Sequence, residues 1–422
     1  MKVRALALTA VYLLTGAACR RATERPLRFE TAPRLVEVRG VTSARHPRIG
    51  VDLASGSGGV IHLLAVVEGA GHPGLALVTS IDGGESFGPP VWVSRVGGEL
   101  DSHGENGPAL HLVGQSAIYA AWGQRTGDRS DIAFARSLDF GGSFQAPVTI
   151  RDRTATVSTY GGYPSMAVAP NGDIYVVWLD FRDQSMETAS VFLARSVDGG
   201  ATFEKNVRVA SGVCPCCRPS AVVAAGGDLL VFWRKVYPGN IRDMAVSVSA
   251  DRAQTFSEPR RVAVDGWKID GCPDSGPASV RQRDRVYVAW LTEGAPEIAG
   301  VRMTWTEDQG KTFAPPVLAS QDVLDANYPS FAATPEDRLL LVFQGRERSR
   351  RDGWGDTRAE LVEVAADGTL SVPMAVPGGE IGARVVRPVV AAGSVGRVFV
   401  SWTDPSGANP KVLLSRGRRD AR

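Results

Sequence analysis

The residues best able to do chemistry are the cysteines. Of the five in this 422-residue chain, three crowd into Cys214-Pro-Cys216-Cys217-Arg-Pro219, and Cys272 sits in Asp270-Gly-Cys-Pro-Asp-Ser-Gly276. Thiolates hold soft metals, and in an oxidising compartment they pair into disulfides. The adjacent Cys216 and Cys217 cannot easily join each other, and a Cys214–Cys216 bridge would close a very tight ring. Two unstrained bridges are therefore hard to draw. Three readings stay open: one or two disulfides, a copper or zinc site on Cys214, Cys216, Cys217 and Cys272, and redox chemistry.

A second group is marked by proline. An X-Pro step opens a recurring apolar run, and X is in turn His46, Gly107, Tyr163, Arg218, Gly276, Tyr328 and Arg387. Two tyrosines, two arginines and a histidine, brought together, suit an anionic or sugar-like ligand. His103 and Glu105, in Asp101-Ser-His103-Gly-Glu105-Asn106, can join them. All of this depends on elements that bring distant residues to one place.

Those elements announce themselves by repetition. Ser80-Ile-Asp82-Gly-Gly84-Glu-Ser-Phe87 has near-copies beginning at Ser137, Ser196, Ser249 and Thr306. Self-similarity at roughly fifty to sixty residues means an array of one supersecondary unit. In each copy the Asp carboxylate can cap backbone N–H groups of a tight turn, the Gly two places on can take φ > 0, and the Phe folds back under the turn. Each X-Pro step leads into a strand, then an alternating run that ends near Trp, as in Ile174–Trp178, Leu229–Trp233, Val286–Trp290 and Val398–Trp402. Period-two runs bounded by Gly, Asn and Asp are strands. The third unit reads as four of them, Ser165–Ala169, Ile174–Trp178, Ser190–Arg195 and Val207–Ala210. The fold class is all-β: a single β-propeller of seven four-stranded blades over 33–416, with six blades as the alternative. The seventh unit stops after its third strand, Lys411–Ser415, and the orphan strand Arg34–Arg39 completes it, removing the exposed edge. Antiparallel alternation then puts the cysteine loops and X-Pro residues on one face. The repeats fall on the other, their Asp residues serving as turn scaffolding.

The S-x-D-x-G-x-T-F pattern resembles the Asp box, or bacterial neuraminidase repeat, of the sialidase-like β-propellers. The resemblance implies three arginines around a substrate carboxylate, an Asp acid/base, and a Tyr nucleophile assisted by Glu. Arg48-Ile49 is similar to the first-arginine motif, Arg234 stands where the second arginine would, and Tyr328 stands at the nucleophile position. The Glu position falls on Cys217-Arg-Pro-Ser, the loop between the second and third strands of the first unit offers only Glu68 and His72 for the Asp, and the opening of the fifth unit has no third arginine. The expectation is a sialidase-like scaffold acting as a ligand-binding module without the full catalytic set. The alternatives are a glycan-processing hydrolase using Tyr328, Arg48 and Arg234 with a carboxylate from Glu105, Asp180 or Glu293, and a metal or redox protein built on the cysteines.

The N-terminus carries Lys2 and Arg4, the apolar run Ala5–Leu14, then Thr15-Gly16-Ala17-Ala18-Cys19. That reads as a secretory signal over 1–18. Small residues before Cys19 resemble a lipobox, with Gly16 where Leu is usual, so Cys19 is the expected lipid anchor and plain cleavage after Ala18 the alternative. Residues 19–32 read as a tether and 417–422 as a basic tail. The expectation is an exported periplasmic or cell-surface monomer, held to the membrane only through Cys19. A formal charge of +2 gives no electrostatic case for nucleic acid. The loop from Arg346 through Arg348, Arg350 and Arg351 is read as solvated charge on the ligand face.

Overall fold

The segment Ile174–Asp180 is β-branched and aromatic and is buried along its whole length. A run buried on both faces has to be a central strand. In the computed structural model it pairs with Gly161–Val168 on its inner side and Ala189–Ser196 on its outer side, and Val207–Val213 completes an antiparallel sheet. The structure describes residues 26–52, 59–69, 72–94, 99–152, 160–182, 188–294, 298–347, 357–378 and 384–419, and none of them is helical over the length of a membrane span. The expected signal segment, Cys19, Arg348, Arg350 and Arg351 lie outside them.

The same sheet recurs to give seven blades of a β-propeller. The inner strands touch their neighbours all the way round, from Ser43–Asp52 of blade 1 to Val386–Ala392 of blade 7 and back, so the ring closes at seven. Apolar side chains pack between consecutive blades rather than within one. Trp178 of blade 3, for example, lies against blade 2 residues such as Phe134, and Trp233 of blade 4 against blade 3. These tryptophans are fully buried, and truncating one would cost about 3–5 kcal/mol.

The closure starts earlier than the orphan strand suggested. Leu27–Phe29, inside the stretch expected to be a tether, pairs with Arg419, Arg418 and Gly417, and Arg34–Leu35 pairs with Leu414 and Leu413. The last strand runs Lys411–Arg419, so the expected basic tail is corrected up to Arg419. Two of its arginines, Arg416 and Arg419, are partnered, while Arg418 is exposed. Arg416 Nε bonds Glu30 at 3.1 Å and its Nη2 bonds Glu85 at 2.6 Å, while Arg419 pairs with Glu363. Arg346 of the basic loop is likewise paired, with Asp325.

Each repeat forms the same turn. In the first, the Ser80 hydroxyl donates to Asp82 and accepts from the Gly84 N–H, and Asp82 accepts from both the N–H and the hydroxyl of Ser86. The partners recur at Asp139, Asp198, Asp251 and Asp308. The closing phenylalanines Phe87, Phe144, Phe203, Phe256 and Phe313 pack onto the inter-blade cores.

The inner strands come in two kinds. In blades 1, 3, 6 and 7 the strand is long and its register slips at the X-Pro step, where His46, Tyr163, Tyr328 and Arg387 all have φ between 51° and 62°. A left-handed residue at a bulge re-aims its side chain, and two of the four, Tyr328 and Arg387, line the channel cavity. In blades 2, 4 and 5 the strand begins only after the proline, at Ala109, Ser220 and Ala278, and a loop fills the space before it.

Candidate functional site

Those loops and bulged residues meet at the mouth of the channel. A cavity of about 300 Å³ there is lined by Arg48, Glu105, Arg218, Tyr328 and Arg387, among others. Three guanidinium groups thus converge, from blades 1, 4 and 7. Arg48 donates to the carbonyls of Pro108 (2.8 Å) and Pro47 (3.0 Å). Arg218 reaches across to the carbonyls of Pro164 (2.7 Å from Nε), Gly107 and Pro108 (2.9 Å each). Burial lowers both arginines, Arg48 to about 10, and each also feels the repulsion of a neighbouring arginine. Arg48 stays charged near neutrality. Arg387 is freer: Nη2 holds Asp274 at 2.9 Å, the group lies over the Tyr328 ring at 4.8 Å, and its buried Nε has no partner.

The anionic side of the mouth is Glu105 and Asp274. Glu105 is enclosed, and one oxygen accepts the N–H groups of Arg218 (3.0 Å) and Gly276 (2.6 Å). Burial, reinforced by Asp274, pushes its carboxyl up to about 7 despite those bonds. Asp274 accepts from the Glu105 N–H at 3.0 Å, so one carboxylate ties blade 5 to blades 2 and 7. The sequence pattern did not single Asp274 out, although it lies two residues after Cys272; its left-handed φ of 46° is the only local peculiarity.

Tyr328 faces the cavity, and burial raises its hydroxyl to about 12, with Arg387 acting the other way. Among the described residues no carboxylate hydrogen-bonds that hydroxyl. His103 and Tyr163 form a side arm. The His103 ring bonds Asp101 at 3.1 Å through Nδ1 and the Tyr163 hydroxyl at 3.3 Å through Nε2. The bond to Asp101 raises the His103 pKa. His46 is buried and donates its backbone N–H to the Thr403 hydroxyl, and burial together with the surrounding arginines pushes its ring pKa well down.

Arg234 requires correction. It is fully buried away from the mouth, donating to the carbonyls of Arg242 (3.0 Å), Ser275 (3.0 Å) and Leu291 (2.8 Å), with its plane over Trp267. It braces the loops from beneath. The arginines that meet are Arg48, Arg218 and Arg387; the last two were expected only as ring residues. Asp180 is also structural, gripped by Arg151, Arg182 and the Trp178 indole and held at about 2 by those partners against burial. Glu293 is exposed, away from the cavity lining.

The four cysteines do converge, beside the mouth. Cys216 and Cys272 form a disulfide, while Cys214 and Cys217 are buried free thiols whose sulfurs lie 3.4 Å apart. Cys216 Sγ is 3.8 Å from Cys214 Sγ and 3.9 Å from Cys217 Sγ. Arg242 Nη1 donates to Cys214 Sγ at 3.0 Å. The hydrogen bond from Cys217 brings Cys214 down to about 6 against burial, helped by Arg234 and Arg242, whereas burial pushes Cys217 well up.

The chain matches no protein-family model and no curated protein. Among solved structures it is similar to a protein of unknown function from Dyadobacter fermentans, at 14% identity over 93% of this chain and 99% of that one, with a TM-score of 0.49. It is also similar to the Trypanosoma rangeli sialidase in complex with sialic acid, at 15% identity over 73% of this chain, with a TM-score of 0.48. The chain spans about half of that sialidase, 53% of its length. A mutant α-L-arabinofuranosidase from Fusarium graminearum, in complex with an iminosugar inhibitor, matches at 12% identity over 74% of this chain and 92% of that one, with a TM-score of 0.50. At such identities the likeness is one of fold alone, and that fold is the seven-bladed β-propeller.

Proposed function

We propose that the protein is an exported, lipid-anchored binding module that takes a carboxylate-bearing sugar, or another small anion, at the mouth of the channel. One observation carries this reading: Arg48, Arg218 and Arg387 line a single cavity of about 300 Å³, and the one carboxyl among its described lining residues, Glu105, is pushed up to about 7 by burial. Buried guanidinium groups bind carboxylates through strong charge-assisted hydrogen bonds. Arg387 is the natural ligand arm, because Arg48 and Arg218 already spend donors on backbone carbonyls. The motifs that resemble Asp boxes, and the signal-like N-terminus ending at Cys19, support the family and the address.

Hydrolysis is the second reading, favoured by one feature. Glu105, with its carboxyl near 7, lies on the same cavity as Tyr328, and a carboxyl poised there can act as an acid or a base. Binding is preferred because, among the described residues, no carboxylate hydrogen-bonds the Tyr328 hydroxyl.

Calorimetric titration with N-acetylneuraminic acid and glucuronic acid, against neutral galactose, tests the proposal. The acidic sugars should bind and galactose should not. Arg387→Gln should weaken acid binding roughly tenfold to a hundredfold, the value of one charge-assisted contact. Equal affinity for galactose, or an unaffected variant, would remove the anion site. Turnover of an aryl sialoside or glucuronide, lost in Glu105→Gln, would move the assignment to hydrolase. The anchor is checked by the mass of the N-terminal peptide from membrane fractions, which should carry acyl chains on Cys19.

A further inference from the structure

The cysteine cluster is not absorbed by an anion site, and its arrangement is specific. Two thiols and one disulfide share a patch in which every sulfur of Cys214, Cys216 and Cys217 is within 3.9 Å of the other two. Such spacing would also suit a tetrahedral metal, whose thiolate ligands at about 2.3 Å stand about 3.8 Å apart. Two features argue against that occupant. Cys216 is already bonded to Cys272, which leaves only two free sulfurs. The Arg242 guanidinium, 3.0 Å from Cys214 Sγ, puts a fixed cation where a metal cation would crowd it. A guanidinium on sulfur favours a thiolate, which is the attacking species in disulfide exchange.

We propose that the four cysteines form a thiol–disulfide exchange site, in which the buried dithiol Cys214/Cys217 passes two electrons to the Cys216–Cys272 disulfide and so delivers a reactive thiol to the surface at Cys272. In the first step the Cys214 thiolate attacks Cys216 Sγ, 3.8 Å away. The Cys216–Cys272 bond breaks, and its electron pair leaves on Cys272, which takes a proton. In the second step the Cys217 thiolate attacks Cys214 Sγ, 3.4 Å away, and expels Cys216, which takes a proton in turn. One disulfide and two thiols become one disulfide and two thiols, so no outside oxidant or reductant is needed. The direction matters because the reacting ends differ in access: Cys214 and Cys217 are sealed, whereas Cys272 is exposed. A disulfide-bearing protein or small molecule can approach only at Cys272. Exchange would also release the loop that carries Asp274, the residue tying Arg387 and Glu105 at the mouth.

The test is alkylation of the native protein, purified without reductant, with iodoacetamide at pH 8, followed by peptide mapping. Cys272 should become alkylated without added reductant, and the same molecules should contain a Cys214–Cys217 bridge. Cys214→Ser should lose this labelling. Cys217→Ser should keep it but stall at a Cys214–Cys216 bridge, an outcome that a packing role for these residues would not produce. If either variant fails to fold, the wild-type trap decides alone. An intact Cys216–Cys272 bridge with unlabelled Cys272, two bridges from the outset, or four thiols with an equivalent of zinc or copper would each overturn the proposal.

Discussion

On the repeat face, Asp82, Asp139, Asp251 and Asp308 are each held at about 2; at the mouth, Glu105 is pushed up to about 7. The hydroxyls of Ser143 and Thr255 lead at Asp139 and Asp251. At Asp82 and Asp308 burial pulls upward and is outweighed by turn hydroxyls and N–H groups. Glu105 also accepts two N–H groups, yet desolvation and a second carboxylate win. The difference is where the partners come from. Each repeat Asp is served by residues within its own turn and stays in water, so its charge is cheap to keep. Glu105 is served by blades 4 and 5 from inside a closed mouth, where charge is costly and the arrangement holds only if the whole ring is assembled.

The comparison breaks first at Gly276. A Cβ placed there would lie 2.0 Å from the Arg218 carbonyl oxygen and 2.8 Å from its nitrogen, both backbone atoms that cannot step aside. Gly276→Ala should therefore cost about 3 kcal/mol or more in denaturant unfolding. It should also abolish anion binding, because the Gly276 and Arg218 N–H groups that hold Glu105 must separate. A variant with near wild-type stability would mean that the blade 4 and blade 5 loops are not in close contact.

Glu105→Gln tests the electrostatic half of the comparison. A carboxyl whose folded pKa is raised above its unfolded value near 4.5 binds more protons in the native state, so stability falls as pH rises from about 4.5 to about 7 and then levels. The full swing is on the order of 3 kcal/mol, since one pKa unit is about 1.4 kcal/mol. The amide keeps an acceptor for both N–H groups without titrating, so the variant should lack this fall when unfolding free energies are compared between pH 4.5 and 8. The repeat aspartates have the opposite sign. Their contribution is present above the unfolded value near 3.8 and is lost as pH drops toward 2. Parallel curves for wild type and Glu105→Gln would show that Glu105 is ionised throughout.

What could be read from the chain follows the same division. The turns were legible because Ser80, Asp82, Gly84 and Ser86 meet within seven residues, and local chemistry writes itself into local sequence. Blade number followed, since seven X-Pro steps mark seven inner strands. The mouth was only half legible. Its ring residues could be listed, but Arg218 ends on carbonyls 54 and 111 residues earlier, and Glu105 accepts from an N–H 171 residues later. No periodicity reports such contacts. Arg234 shows the failure in miniature: position along a strand suggested a substrate arginine, while the side chain turns inward to three carbonyls. The cysteine pairing was half legible for a related reason. The short loop spacing made two bridges hard to draw and kept a single disulfide among the readings, but nothing in it said that Cys216 would pair with Cys272 and leave Cys214 and Cys217 as a contacting dithiol.

The smallest effects should come from the repeat face, where one substitution disturbs one turn. Gly200 has φ of +83°, and a Cβ on it would sit 2.4 Å from the Phe134 ring of blade 2. Gly200→Ala combines a left-handed alanine, at about 1 kcal/mol, with a displaced aromatic, so a loss of about 2 kcal/mol is expected. The fourth repeat has already made this exchange: Ala253 holds φ of 66° in the same place, buried in the inter-blade core. Reverting it, Ala253→Gly, relieves about 1 kcal/mol of backbone strain but removes a buried methyl worth about 0.8 kcal/mol, and the unfolded glycine is freer. The net change should stay within about 0.5 kcal/mol in the same denaturation assay. Anion binding should be unaffected in both variants, because neither turn touches the mouth. A repeat variant that weakened binding while the protein stayed folded would show that the two faces are coupled through the blades.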